Sequence, residues 1–276
     1  MRNIFKDRRA ISAILATIMI FGLIMLGLAV GTVILLPFAQ QTHEENNYLG
    51  IYSGLREMDA VIKDVSQGSG IGATASVAFP PVSGIINVGD RNITITFSDG
   101  SEIRNWGYNL GYIECRFLRT YSSLTRSESI NLLNPNDAYW WESTDNNRIS
   151  SLDPTNINLR RGTGADHYLT LSYAVGVQTT TWINPSAMAS GTWVEINIIL
   201  TILQSTSDRT YFDEIPFIYV QLEDYSVTEL YRYNDSFVAD PSLSLSMSTD
   251  SGTLFTDIPS NLVIVREVQR VFSISW

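Results

Sequence analysis

The chain has 276 residues, 45% apolar and 11% aromatic, which is enough to build a packed core and excludes a wholly disordered protein. Its formal net charge is −10, and no basic cluster occurs beyond the first nine residues, so nucleic acid is excluded as a partner. One cysteine, Cys115, and two distant histidines, His43 and His167, exclude an intrachain disulfide and a Cys/His metal site, and no metal or other cofactor is expected.

Residues 1–9, MRNIFKDRR, carry Arg2, Lys6, Arg8 and Arg9 against the single acid Asp7. From Ala10 to Ala39 no residue is charged. A helix needs about 20 apolar residues to cross the hydrocarbon core, so this run predicts a membrane span. The basic flank belongs on the cytoplasmic side, which places the rest of the chain outside. A cleaved secretory signal has a shorter apolar region, of about 7–15 residues. Ala29-Val30-Gly31 offers a small-residue cleavage site, but the apolar run continues through it to Phe38. A plain signal anchor stays open on composition.

The stretch Arg9-Ala10-Ile11-Ser12-Ala13-Ile14-Leu15-Ala16-Thr17 resembles the start of archaeal type IV pilins, which have a basic residue, a small residue and then a motif like V-S-P-V-I-A-T before an unbroken apolar helix. The resemblance implies a class III leader, residues 1–10, cut by a prepilin peptidase between Ala10 and Ile11. Two positions depart from the pattern: Ala13 replaces a frequent proline, and Leu15 stands where bacterial pilins carry a glutamate. Removing four cations and one anion takes the charge from −10 to −13 and leaves an apolar assembly helix with a small head. Ser12, Thr17, Gly22, Gly27, Gly31 and Pro37 lie along it. Gly27 and Gly31 have the GxxxG spacing of close helix packing, although glycine is also common in membrane helices.

Pro37 predicts either a kink or the end of the membrane helix, set at residues 11–38. Beyond it, apolar residues at Tyr48, Ile51, Tyr52, Leu55, Met58, Ile62 and Val65 recur three and four apart. That spacing predicts an amphipathic stalk helix over 39–67, lying on the globular domain or on a neighbouring helix. A helix from Ile11 to Ser66 is about 80 Å long. Gly68, Gly70 and Ala73 match the spacing of a dinucleotide fingerprint, but that motif needs a preceding strand, and here a helix precedes, so a flexible hinge is expected.

From residue 73 to 276 the pattern turns to period two with short turns, predicting an extracellular antiparallel β-sandwich-like domain and an α+β chain of pilin-like plan. Strands are expected at Arg91–Phe97, Gly111–Leu118, His167–Gln178, Thr192–Leu203, Ile215–Leu222, Ser242–Met247 and Leu262–Ile274. Ser98-Asp99-Gly100-Ser101 is a hairpin turn signal. Leu110-Gly111-Tyr112-Ile113-Glu114-Cys115-Arg116 resembles a strand found in large archaeal pilin-like proteins. Cys115 is expected to be a small buried apolar residue.

Residues 131–166 hold the chemistry that stands out. Trp140 and Trp141 beside Asn and Asp resemble a glycan-contact surface, or else anchor a loop on the core. Asn136, Asp137, Glu142 and Asp145 offer oxygen ligands whose spacing matches no calcium loop. Asn92-Ile93-Thr94 and Asn234-Asp235-Ser236 are glycosylation sequons, with Asn234 the favoured acceptor because Asn92 falls in or beside a strand. No nucleophile elbow, P-loop or H-E-x-x-H occurs, and Asp166-His167 has no assigned serine, so the chain is not expected to be an enzyme.

The expected function is a structural subunit of an archaeal type IV pilus-like surface filament, minor or capping by its size. It would display its β domain for adhesion, with other pilin subunits, the prepilin peptidase and the membrane before assembly as partners. The alternative is a permanently anchored extracellular module that binds surface glycans or proteins without assembling.

Overall fold

The computed structural model describes residues 4–132 and 155–276, apart from 69, 101, 121, 123, 126–128, 174, 184–191, 208–209, 213–214, 216, 240–241, 248–249 and 257–259. Helix α1 spans Ile4–Gly68 and runs through Pro37. Thirteen strands follow among the described residues: β1 Thr74–Val77, β2 Ile85–Ser98, β3 Ile103–Leu118, β4 Ser129–Asn131, β5 Thr155–Arg161, β6 Asp166–Tyr173, β7 Gly176–Ile183, β8 Thr192–Ser205, β9 Thr210–Tyr211, β10 Ile218–Ala239, β11 Ser242–Met247, β12 Asp250–Thr256 and β13 Ser260–Ser275. By contacts the chain divides into residues 1–46 and 47–276, a boundary inside α1. The architecture is therefore one long N-terminal helix followed by a mostly β, largely antiparallel domain.

In the first unit, the side chains from Leu15 to Phe38 are almost all exposed. The second unit begins with the amphipathic part of α1. Ile51, Leu55, Met58, Ile62 and Val65, the stripe legible in the sequence, are buried in a core with Val77, Ile86, Ile113, Phe117, Leu169, Leu171 and Phe272. This part of the helix is thus a core element of the β domain. Polar contacts fix it as well. The Asn47 side chain donates to Ser83 O at 2.7 Å and accepts from Ser83 N at 2.5 Å. Asp59 accepts from Lys63 at 2.7 Å, Thr155 at 2.8 Å and Tyr173 at 2.9 Å, tying the helix to β5 and β6.

The segment after α1 is a pinned turn rather than a flexible hinge. Gly72 N donates to Leu222 O at 2.7 Å, and Leu222 N donates to Ala73 O at 3.0 Å. Gly72 has φ +87°, a left-handed conformation that favours glycine.

Two sheets make the β domain. One has the order β1-β10-β13-β8-β7; the other runs β12-β11-β2-β3-β6-β5-β4, with β9 paired to β2. The expected β2–β3 hairpin is present, in unbroken register from Ile85↔Arg116 to Ser98↔Ile103. Its turn places Gly100 at φ +92°, and Asp99 Oδ1 accepts from Glu102 N at 2.7 Å. Three strand expectations change. His167–Gln178 is split between β6 and β7, which belong to different sheets, and β10 extends far beyond Leu222. The third change concerns direction: β8 and β13 pair in parallel over Leu262↔Trp193 to Ile274↔Ser205, departing from an all-antiparallel plan. A parallel pair needs a long crossover, here supplied by β9 to β12.

A second core joins Ile93, Ile95, Phe97 and Leu110 of one sheet to Val177, Val194, Ile196, Ile198, Leu200, Val263 and Val265 of the other. Between the two cores the buried side of each strand changes phase. On β3, Leu110 serves the second core while Ile113, Cys115 and Phe117 serve the first. On β8, Leu200 and Leu203 divide in the same way. At this level the sheets come into backbone contact: a Cβ on Gly111 would lie 1.8 Å from Leu203 O. Only glycine permits that approach.

Candidate functional site

The feature with functional weight in the first unit is the apolar stretch of α1. It is long and apolar enough to cross a membrane, and none of its most apolar window is buried. Two threonine hydroxyls in and just beyond it are satisfied within the helix. Thr32 Oγ1 bonds Leu28 O at 3.0 Å and Ala29 O at 2.9 Å, and Thr42 Oγ1 bonds Phe38 O at 2.9 Å. Hydroxyls that bond their own helix backbone need no water, which suits a hydrocarbon environment. At Gly22, Gly27 and Gly31 an added Cβ would meet nothing within 4 Å, so the face that Gly27 and Gly31 share is open. Pro37 does not end the helix, so the second of the two outcomes its position allowed is excluded. Arg9, Ala10, Ile11 and Ser12 lie within α1, where the structure describes backbone only, and Thr17 is exposed.

A second glycine pair, not singled out in the sequence, sits further along. Cβ atoms at Gly50 and Gly54 would lie 2.5 Å from Val82 and 2.4 Å from the Phe79 ring. This pair lets the loop after β1 pack directly on the helix. The signal was the Gly50-x-x-x-Gly54 spacing itself, the same as that of Gly27 and Gly31. Composition does not distinguish a glycine pair filled by its own chain from one left open.

The residues weighed for catalysis and binding are dispersed. His167 is fully buried, its Nδ1 3.0 Å from Ala165 O and its ring against Phe117. Its neighbour Asp166 accepts from Arg116 at 2.7 Å, so the two serve the β3–β6 pairing and do not point into a shared cleft. Cys115 is buried in the first core, and burial, with Glu114 adding to it, pushes its thiol well above the ordinary range. Among the described residues, no group of three or more His, Cys, Asp or Glu side chains is placed to hold a metal ion. Trp140, Trp141, Asn136, Asp137, Glu142 and Asp145 lie outside the described residues.

Two polar contacts inside the β domain escaped the sequence reading, because each joins residues far apart in the chain. Tyr108 donates to the buried Glu267 at 2.5 Å, and Gln269 also donates to Glu267. Burial, then the bond to Glu267, raises the Tyr108 hydroxyl far above its ordinary value. Tyr231 donates to Asp99, joining β10 to the β2–β3 turn, with Arg104 over the Tyr231 ring at 4.9 Å.

Of the two sequons, Asn92 is exposed on β2, opposite Asn109 of β3. Asn234 lies in β10 opposite Leu262, just before an irregularity in that pairing, and its side chain is not described.

No family model, curated protein or solved structure matches this chain.

Proposed function

We propose that the chain is a membrane-inserted structural subunit of an archaeal type IV pilus-like surface filament, with its β domain outside the cell. The observation that carries this reading is the division of labour along α1. Residues from Leu15 to Phe38 present apolar side chains in every direction and bury none of them in this chain, whereas Ile51 to Val65 are core. At about 25 cal/mol per Å² of apolar surface, a helix of this kind must be covered by lipid or by other proteins. Cutting at Ala10–Ile11 removes the flank that holds the helix in the bilayer. The freed helix then exchanges lipid for contact with copies of itself, with the open Gly27–Gly31 face as one surface for close approach. The basic residues before Ala10 place the uncut N-terminus in the cytoplasm and the β domain outside.

The test is the mature N-terminus, read by mass spectrometry on protein from its native membrane fraction. The expected chain begins at Ile11. A chain that keeps Arg2 to Arg9 overturns the pilin reading and leaves a permanently anchored extracellular module as the working model.

A further inference from the structure

We infer that Asn92 carries an N-linked glycan that lies over the outer face of β2 and β3. This rests on the outward placement of the β domain proposed above. It reverses the preference for Asn234 drawn from sequence, where a strand position counted against Asn92.

Three observations carry it. First, alternation along β2 turns Ile93, Ile95 and Phe97 into the second core and leaves Asn92, Thr94 and Thr96 on the opposite face, so acceptor and sequon threonine share the outer surface. Second, the edge beside Asn92 is open. β11 pairs with β2 only from Thr94 to Ser98, and β9 only at Ile85 and Ile86. Among the described residues, no strand lies beside Asn87–Ile93 on that side. A strand position therefore does not bury this asparagine. Third, the face around it is low and mostly uncharged, with the exposed Asp90 two residues before Asn92 on the same strand. Asn109, Gly107 and Asn105 stand opposite Asn92, Thr94 and Thr96 and are exposed, and nothing lies within 4 Å of a Cβ placed on Gly107. Thr96 donates to Asn105 at 2.7 Å. Hydroxyl and amide groups bond sugar hydroxyls without the cost of stripping water from a charge. A glycan here also shields an unpaired strand edge that would otherwise recruit another chain.

The donor is a lipid-phosphate-linked oligosaccharide, supplied with its transferase outside the membrane. The Asn92 side-chain nitrogen bonds to the anomeric carbon and loses one proton. The bond from that carbon to the phosphate oxygen breaks, and the lipid phosphate leaves with the electron pair. No group is oxidised or reduced.

The experiment is glycopeptide mass spectrometry on native protein, together with protease shaving of whole cells. The tryptic peptide Asn92–Arg104 is expected to carry whole monosaccharide masses. Asn92→Gln and Thr94→Ala each abolish the modification, and Thr94→Ser retains it. An unmodified Asn92 peptide, or modification confined to Asn234, overturns the inference. If shaving cuts the β domain while Asn92 is unmodified, the glycan inference alone fails. If the domain is protected from protease and Asn92 is unmodified, the outward placement fails with it.

Discussion

Replacing Gly111 by alanine tests the contact on which the two sheets cross. The added Cβ would lie 1.8 Å from Leu203 O, where real Cβ contacts essentially never fall below 3.0 Å. The strands must therefore separate by at least about 1.2 Å, the difference between those distances. Neither strand moves easily. β3 is hydrogen-bonded between β2 and β6, and β8 between β13 and β7. Overpacking against side chains costs about 1–3 kcal/mol, and here the obstacle is backbone held in a sheet, so the upper end applies. The reduced freedom of the unfolded chain offsets about 0.4–1 kcal/mol of this, leaving a net loss of about 2 kcal/mol or more. For a domain of this size that lowers Tm by about 4–8 °C. Gly107→Ala is the control on the same strand. Its Cβ meets nothing within 4 Å, and a change within about 0.5 kcal/mol is expected. Thermal melts of the detergent-solubilised full chain, followed by circular dichroism in the β region, give both values. Equal melting temperatures for the two variants would refute the crossing.

Other outcomes follow from the same contacts. Leu55→Ala, at a fully buried position on α1, should cost about 2–5 kcal/mol in urea unfolding; a loss below about 1 kcal/mol would mean that the helix is not a core element. Tyr108→Phe should cost about 1–3 kcal/mol at neutral pH by removing a donor from buried Glu267. The same variant should flatten the alkaline limb of stability. The folded hydroxyl is raised above its ordinary 10.0, so the unfolded chain releases this proton first. The contribution is thus fully present below about pH 10 and is lost as pH rises above it. Tyr231, raised by burial and by Asp99, adds to the loss in the same direction, so the limb is reduced without vanishing. An unchanged alkaline slope in urea titrations of Tyr108→Phe would sink the assignment.

The sequence by itself determined the elements whose signal is local. An uncharged apolar run identifies the membrane-capable helix, because crossing hydrocarbon depends on length and composition alone. The three-and-four spacing from Tyr48 to Val65 identified the buried face of α1, since helix periodicity maps directly onto one side. Ser98-Asp99-Gly100 marked its hairpin because a left-handed φ at Gly100 has a residue signature. Sheet membership and direction needed the tertiary structure. Alternation tells which side of a strand is buried but not which strand lies beside it, so the parallel β8–β13 pair and the separation of β6 from β7 left no local mark. The same limit applies to glycine. Gly31, Gly54, Gly107 and Gly111 read alike in the chain, and only the approach of Phe79 to one and of Leu203 to another separates the glycines that permit contact from those that leave a surface open.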